Sequence, residues 1–304
     1  MRDEHLTAFP NPQLPIPSPH RPVLLGYNTN GLAHHELFDA VGLLGEIGYR
    51  SVAITIDHGA LSPREDWRGQ LPRLRTMLDR LGLRSAIETG ARFLLDPQEK
   101  HEPTLLSADP AARARRVAFY EHAIHCAAEL GSTCVSLWSG VLRQPLPEAQ
   151  AMDLLASGLE AVLACAERSG VVVGFEPEPG MLVDSMARFA ALLSRVDSPN
   201  LKLTLDVGHL QCQGEVPIAG EIRRWSSRLV NVHVEDMRRG WHEHLMFGEG
   251  EIDFPPVLQA LAEVGYQGGV HVELSRHGHA APEAARRAYA FLNPIIERKR
   301  ASHG

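Results

Sequence analysis

Cysteine is scarce. Cys126, Cys134, Cys165 and Cys212 are the four in 304 residues, too few for a disulfide framework in a chain of this length and without the paired spacing that clasps a metal. They read as reduced thiols, the expectation for a cytoplasmic protein. Basic charge is also in deficit: 30 Lys and Arg stand against 37 Asp and Glu, a formal net charge of −7. A broad grip on a phosphate backbone needs clustered cations, so no nucleic-acid partner is expected and a small polar substrate fits better. The opening stretch MRDEHLTAFPNPQLPIPSPH lacks the apolar segment of a signal peptide, and no run reads as long enough to span a bilayer. The expectation is a soluble chain with no membrane partner. Missing too is any G-x-G-x-x-G or Walker loop after an apolar run, which removes the usual nucleotide-binding open sheets.

What the sequence does contain is a recurring unit. From Val23 onward a short apolar run, a polar loop, a helical stretch and a glycine follow one another repeatedly. The runs are VLLGY from Val23, SVAITI from Ser51, LRSAI from Leu83, TCVSLW from Thr133, VVVGF from Val171, LKLTL from Leu201, LVNVHV from Leu229 and GGVHVEL from Gly268. Apolar runs alternating with helices call for a parallel sheet covered by those helices. Gly48, Gly82, Gly131, Gly170 and Gly265 each close a helical stretch just before a run, where a left-handed cap favours a residue without Cβ. Leu37, Val41 and Leu44, and again Met152, Leu155, Leu159 and Val162, fall at helical spacing and read as core. The pattern predicts an α/β protein with a single (β/α)₈ TIM barrel, a fold that about 250 residues fill. The expected division is an N-terminal proline-rich extended arm over 1–22, the barrel over 23–296 and a polar tail over 297–304.

In such a barrel, residues at the strand ends converge on one mouth. Glu176 follows VVVGF in FEPEPG, Asp206 follows LKLTL in LDVGH, His233 lies in LVNVHVED, and Glu273 sits in GGVHVEL. One such carboxylate alone is as well explained by a helix cap. Three carboxylates and an imidazole at one rim would repel and lose hydration unless a cation neutralised them. Mixed oxygen and nitrogen donors suit Mn²⁺, Mg²⁺, Co²⁺ or Zn²⁺. His209 lies three residues after Asp206, and His242 and His244 lie in the loop WHEHLMFGEGEID after the seventh run. His277 and His279 read as solvated, and His271 as an interior, hydrogen-bonded histidine. Asn28, Asp57, His58, Glu88 and Trp138 end the earlier strands and are expected around the pocket, with Trp138 stacking on a sugar face and the polar groups reading hydroxyls. Capping is an equal alternative for Asp57, and Glu178 reads either as a second acid or as a loop carboxylate.

The stretches FEPEPG, LDVGH, VNVHVEDM, GEGEIDF and VHVEL, in that order, resemble the xylose isomerase-like superfamily of TIM barrels, which holds sugar isomerases and epimerases and the endonuclease IV type of repair enzyme. The resemblance runs from Leu24 to Leu292 and is specific from the fifth run onward. It implies that Glu176, Asp206, His233 and Glu273 form the shared metal site, and that Glu176 and Glu273 also exchange a proton with the substrate carbon, one on each face. Held by a divalent ion, adjacent substrate oxygens would stabilise the resulting enediolate. His209 falls at a substrate-contacting or metal-binding position, and Arg238 or Arg239 near a substrate-binding arginine.

The function expected is therefore a divalent-metal-dependent isomerase or epimerase of a sugar, sugar phosphate or cyclitol, in an assembly of identical copies as is common in similar barrels. A keto-sugar dehydratase or lyase is the near alternative, because the same intermediate can expel a leaving group. An endonuclease IV-like phosphodiesterase comes next, since HEHLMFGEG resembles that group's loop, which implies His242 and His244, with His209, as candidates for a second metal or for substrate. That group, however, takes zinc-binding histidines from its third and fourth strands, where this chain has Glu88 and Trp138. A non-catalytic sugar-binding barrel is the last alternative.

Overall fold

A computed structural model describes residues 23–301, with side chains to 297. The arm expected over 1–22 lies outside the described residues. The first half of the chain alternates β1 (Leu24–Asn28), α1 (Leu37–Ile47), β2 (Ser51–Thr55), α2 (Trp67–Leu81), β3 (Arg84–Glu88), α3 (Pro110–Leu130), β4 (Val135–Leu137) and α4 (Glu148–Arg168). The second runs through β5 (Val173–Phe175), α5 (Met186–Leu193), β6 (Leu201–Asp206), α6 (Val207–Gln213), α7 (Ile218–Trp225) and β7 (Leu229–Val234). A hairpin, β8 (Asp236–Arg238) and β9 (Trp241–Leu245), then precedes α8 (Phe254–Glu263), β10 (Gly269–Val272) and α9 (Ala281–Ala301).

Strands β1 to β7 and β10 close into a barrel of parallel pairs in the order β1-β10-β7-β6-β5-β4-β3-β2. This is the (β/α)₈ TIM barrel that the repeat predicts. The five predicted glycines all adopt positive φ, from 63° at Gly82 to 116° at Gly48. At Gly48 the backbone N–H returns to Leu44 and Gly45 carbonyls, satisfying the open end of α1 before the chain enters β2.

The apolar stripes are core, as expected. Leu37, Val41 and Leu44 of α1 are buried, and so are Met152, Leu155, Leu159 and Val162 of α4. Each such side chain contributes about 1.5–3 kcal/mol by leaving water. Helix α4 corrects one expectation, since its 21 residues are long and apolar enough by composition to cross a membrane. Its apolar stripe packs into the core, so the hydropathy there reflects burial against the barrel. Helix α9 continues through Ala301, past position 296. The loop after β7 carries structure of its own, the antiparallel β8–β9 hairpin.

Candidate metal and substrate site

Glu176 follows β5 directly, Asp206 ends β6, His233 lies on β7 and Glu273 follows β10. Ligand-type atoms of all four lie within 4.8 Å of one another. His233 is the hub, with Nδ1 2.9 Å from Glu273 Oε2, 3.0 Å from Glu176 Oε1 and 3.9 Å from Asp206 Oδ2. Asp206 serves two purposes: Oδ1 accepts from the backbone N–H of His209 at 2.8 Å and caps α6, while the buried Oδ2 has no hydrogen-bond partner. An orphaned, buried carboxylate oxygen beside three other donors is a set that fits a cation.

The electrostatics agree. Burial, working against the pull of His233, pushes the Glu176 carboxyl up to about 8, with Glu273 and Asp206 adding to the rise. Burial also opposes ionisation of Glu273, but His233 outweighs it and holds that carboxyl below the usual range. His233 is itself desolvated, yet Glu88, Glu176 and Glu273 raise it well above an ordinary imidazole. Without a metal, protons must do the neutralising.

A second group adjoins the first. Ligand-type atoms of His209 on α6 and of His242 and His244 on β9 lie within 4.8 Å of one another. Positions 242 and 244 share a face of β9, because successive strand side chains alternate. His209 Nδ1 lies 3.1 Å from the Pro177 carbonyl and His244 Nδ1 lies 3.0 Å from that of Glu273. A carbonyl only accepts, so both rings carry their proton on Nδ1 and turn the lone pair of Nε2 outward. His242 Nε2 is 3.1 Å from His209 Nε2. Burial first, then its two histidine neighbours, bring His242 down to about 4, leaving it neutral near pH 7. Asp206 Oδ2 lies 3.7 Å from His209 Nε2, between the two groups.

Both groups open on a cavity of about 300 Å³, lined by polar and charged side chains with Trp138 as its one large ring other than histidine. Glu88, Glu178, Asn28, Trp138 and Arg276 line it, whereas His58 and Arg238 do not. His58 is exposed on the turn after β2. Arg238 lies on the hairpin with Trp241, Glu243 and Leu245, the alternate positions to His242 and His244, and donates to the Glu249 carbonyl at 2.9 Å. Asn28 caps the turn after β1 and accepts from Thr55 at 2.7 Å. Asp57 is paired with Arg92 at 2.6 Å.

Several contributors escape the sequence reading. Asn30 donates to Glu273 Oε1 at 2.7 Å and so steers a site carboxylate. Glu235, two residues past His233, is fully buried with no donor on either oxygen. Burial, reinforced by Asp206, drives its carboxyl well above the usual range. Gly208 of LDVGH makes room for it, since a Cβ there would overlap the Glu235 carboxyl. Arg92, Lys100 and His101 reach the cavity from the loop after β3. Beneath that loop the wholly buried Arg116 donates to the carbonyls of Pro103, Thr89 and His101 at 2.6, 3.1 and 2.6 Å. Its guanidinium lies 4.7 Å from the Trp138 ring.

Comparison with known proteins follows the same lines. The chain is 26% identical over 231 residues to the L-ribulose-5-phosphate 3-epimerase UlaE of Salmonella paratyphi A, covering 75% of this chain and 78% of that one. It is 30% identical over 138 residues to an inosose dehydratase of Lacticaseibacillus casei, covering 40% of this chain and 46% of that protein. The fold superposes on the IOLI protein with a bound zinc atom at a TM-score of 0.71, with 18% identity, covering 91% of this chain and 99% of that one. The family profile described as xylose isomerase-like TIM barrel matches residues 41–295, and the chain belongs to that family.

Proposed function

We propose that the chain is a divalent-metal-dependent epimerase or isomerase of a sugar, sugar phosphate or cyclitol, with Glu176, Asp206, His233 and Glu273 as metal ligands. The observation that carries this reading is the convergence of those donors beside Asp206 Oδ2, a buried oxygen with no hydrogen-bond partner among the described residues. The relatives that are sugar epimerases, and the zinc in a structural neighbour, support it. A divalent ion held there supplies charge for adjacent oxygens of the substrate.

The chain's own groups do the rest. Glu176 and Glu273 are the pair that removes a proton from a carbon next to a carbonyl and returns one, and the difference between their environments suits opposite roles. Asn30 fixes one oxygen of Glu273, leaving the other for the reaction centre. Trp138 offers a face for a sugar ring, and the polar wall reads hydroxyls. Arg92, Lys100 and Arg276 supply positive charge for a phosphate. His209, His242 and His244 hold either a second metal or a substrate oxygen, three imidazoles being suited to both. Loss of a neighbouring hydroxyl instead of reprotonation would make the same site a dehydratase, and the inosose dehydratase relative favours this as the second reading.

The deciding experiment is elemental analysis of protein purified without added metal or chelator, beside a Glu176→Ala, Asp206→Ala double variant. About one or two divalent ions per wild-type chain and none in the variant is the expected result. Metal-free wild type that takes up no Mn²⁺, Co²⁺ or Zn²⁺ would sink the reading. With metal in place, a panel of ketoses, aldoses and keto-sugars in D₂O distinguishes the two reactions. Deuterium exchange without net elimination identifies the epimerase or isomerase, and elimination the dehydratase.

A further inference from the structure

The interior of a TIM barrel such as this is ordinarily filled by layers of branched apolar side chains. Here a line of polar groups runs through it. Ser51, the first residue of β2, lies with Oγ 2.8 Å from His271 Nε2. On the other side of that ring, His271 Nδ1 is 2.8 Å from Asn231 Oδ1. The Asn231 amide nitrogen donates to Glu88 Oε1 at 3.0 Å, and Glu88 Oε1 is 2.9 Å from His233 Nε2. All five side chains are buried.

With Asn231 Nδ2 donating to Glu88, and the Ser51 hydroxyl turned to His271 rather than to the Arg84 carbonyl 3.3 Å away, one arrangement of protons satisfies the line. Glu88 Oε1 accepts, so His233 carries hydrogen on Nε2 and has Nδ1 facing Glu176, Glu273 and Asp206. The Asn231 amide and His233 Nε2, 3.1 Å apart, converge as two donors on that single oxygen. With its amide turned so, Asn231 presents Oδ1 to His271, which must donate from Nδ1. His271 Nε2 then accepts from the Ser51 hydroxyl. Each group fixes the orientation of the next, from the start of β2 to the metal-ligand end of β7.

The backbone has been cleared to admit this line. Gly26 on β1 and Gly269 on β10 both flank the His271 ring, and a Cβ at either position would overlap it. Neither glycine has a positive φ, so conformation does not call for them. Their use is space for an imidazole in the middle of the barrel.

From this geometry we infer that Glu88 is a positioning residue, which with Asn231, His271 and Ser51 behind it holds His233 in the tautomer and orientation that present Nδ1 to a divalent ion. The inference rests on the metal site proposed above and adds to it the source of that site's affinity. Glu88 lines the cavity as well, but the oxygen bonded to His233 faces the ligand and is not available to a sugar hydroxyl.

The test is Co²⁺ and Mn²⁺ affinity of the metal-stripped protein, measured at one pH by titration against a competing chelator, with the visible spectrum of the Co²⁺ form. Glu88→Ala should bind about 10- to 100-fold more weakly, the loss typical when a ligand histidine's partner is removed. Glu88→Gln, which keeps an acceptor but not the charge, should fall between it and wild type with a shifted Co²⁺ spectrum. If Glu88→Ala fails to fold, Glu88→Gln and His271→Leu decide the question on the same two readouts. A merely structural line would lower the melting temperature of these variants and leave affinity and spectrum alone. Folded variants within about twofold of wild type, with an unchanged spectrum, overturn the inference. Wild type that binds neither ion overturns the metal site itself and the inference with it.

Discussion

Strands β5, β6, β7 and β10 bring donors to the mouth on residues at or next to their ends, whereas β1 to β4 supply a wall that is largely built from a loop. In the second half Glu176, Asp206, His233 and Glu273 each lie on a parallel strand or one residue past it, so backbone pairing sets their position: Asp206 pairs with His233 across β6 and β7, and His233 with His271 across β7 and β10. In the first half, Arg92, Lys100 and His101 depend on the segment between Glu88 and Pro110, which Arg116 holds from beneath through three carbonyls. A buried guanidinium with no carboxylate bonded to it binds best where carbonyl dipoles converge, and it fixes the loop from behind without entering the cavity. The second half presents the donors; the first shapes the cavity and, through Asn30 and Glu88, orients two of those donors.

The sharpest way to break that division is at Glu273. Glu273→Gln keeps the size of the side chain and its contact with Asn30 but removes the carboxylate next to His233. Turnover at saturating metal should fall by about 10²- to 10⁴-fold, the usual loss when a positioned base is removed. Full activity in steady-state assays would mean that the proton is handled elsewhere.

Arg116→Met tests the opposite half. It leaves three buried carbonyls without donors and should lower stability by about 3 kcal/mol or more in chemical denaturation. In the folded fraction KM should rise while metal content stays that of wild type. Loss of metal with little change in KM would show that the two halves are not separable.

Those halves were not equally legible in the sequence. A strand end followed by an acidic residue is a local signal, and Glu176, Asp206, His233 and Glu273 stand together where the pattern of runs puts them. His271 was also readable, because alternation alone sends it into the barrel. Glu88 was legible as a strand-end residue near the cavity, but its bond to His233 spans 145 positions and has no sequence signature. Arg116 sits in the middle of α3 with ordinary helical neighbours, and nothing local marks it as buried. His58 and Arg238 went the other way: a place just past the run SVAITI put His58 near the mouth and the family resemblance put Arg238 there, but neither lines the cavity.

Metal affinity gives a third comparison, between protons and cation at the same donors. Glu176, at about 8, and His233, raised well above an imidazole's usual value, both hold protons at neutral pH in the metal-free protein. Binding must displace them. A raised carboxyl is ionised only above its shifted value, so affinity should weaken as pH falls from 8 toward 6, by about tenfold per pH unit for each proton displaced. Calorimetry in buffers of different ionisation enthalpy measures the release directly, and a binding heat independent of buffer would refute it.

His242→Ala bears on the smaller group alone. If His209, His242 and His244 hold a second ion, stoichiometry should drop by one ion per chain while the site at His233 remains filled. If they hold a substrate oxygen, stoichiometry is unchanged and KM rises, by about 5- to 10-fold for a lost hydrogen bond of ordinary strength. No change in either quantity would remove the group from the site.

Arg238 is where the least should happen. Its guanidinium donates to the Glu249 carbonyl at 2.9 Å, and it shares the hairpin surface with Trp241 and Glu243, alternate to the positions that carry His242 and His244. For it to reach substrate, the hairpin would have to turn over, and that would withdraw both histidines. Arg238→Ala should therefore leave KM, turnover and metal content within about twofold of wild type, the range of a surface change of ~0.5 kcal/mol. A tenfold rise in KM with metal content intact would show that the hairpin closes over bound substrate with its other face inward, and the wall of the cavity would then include β8 and β9 on both their faces.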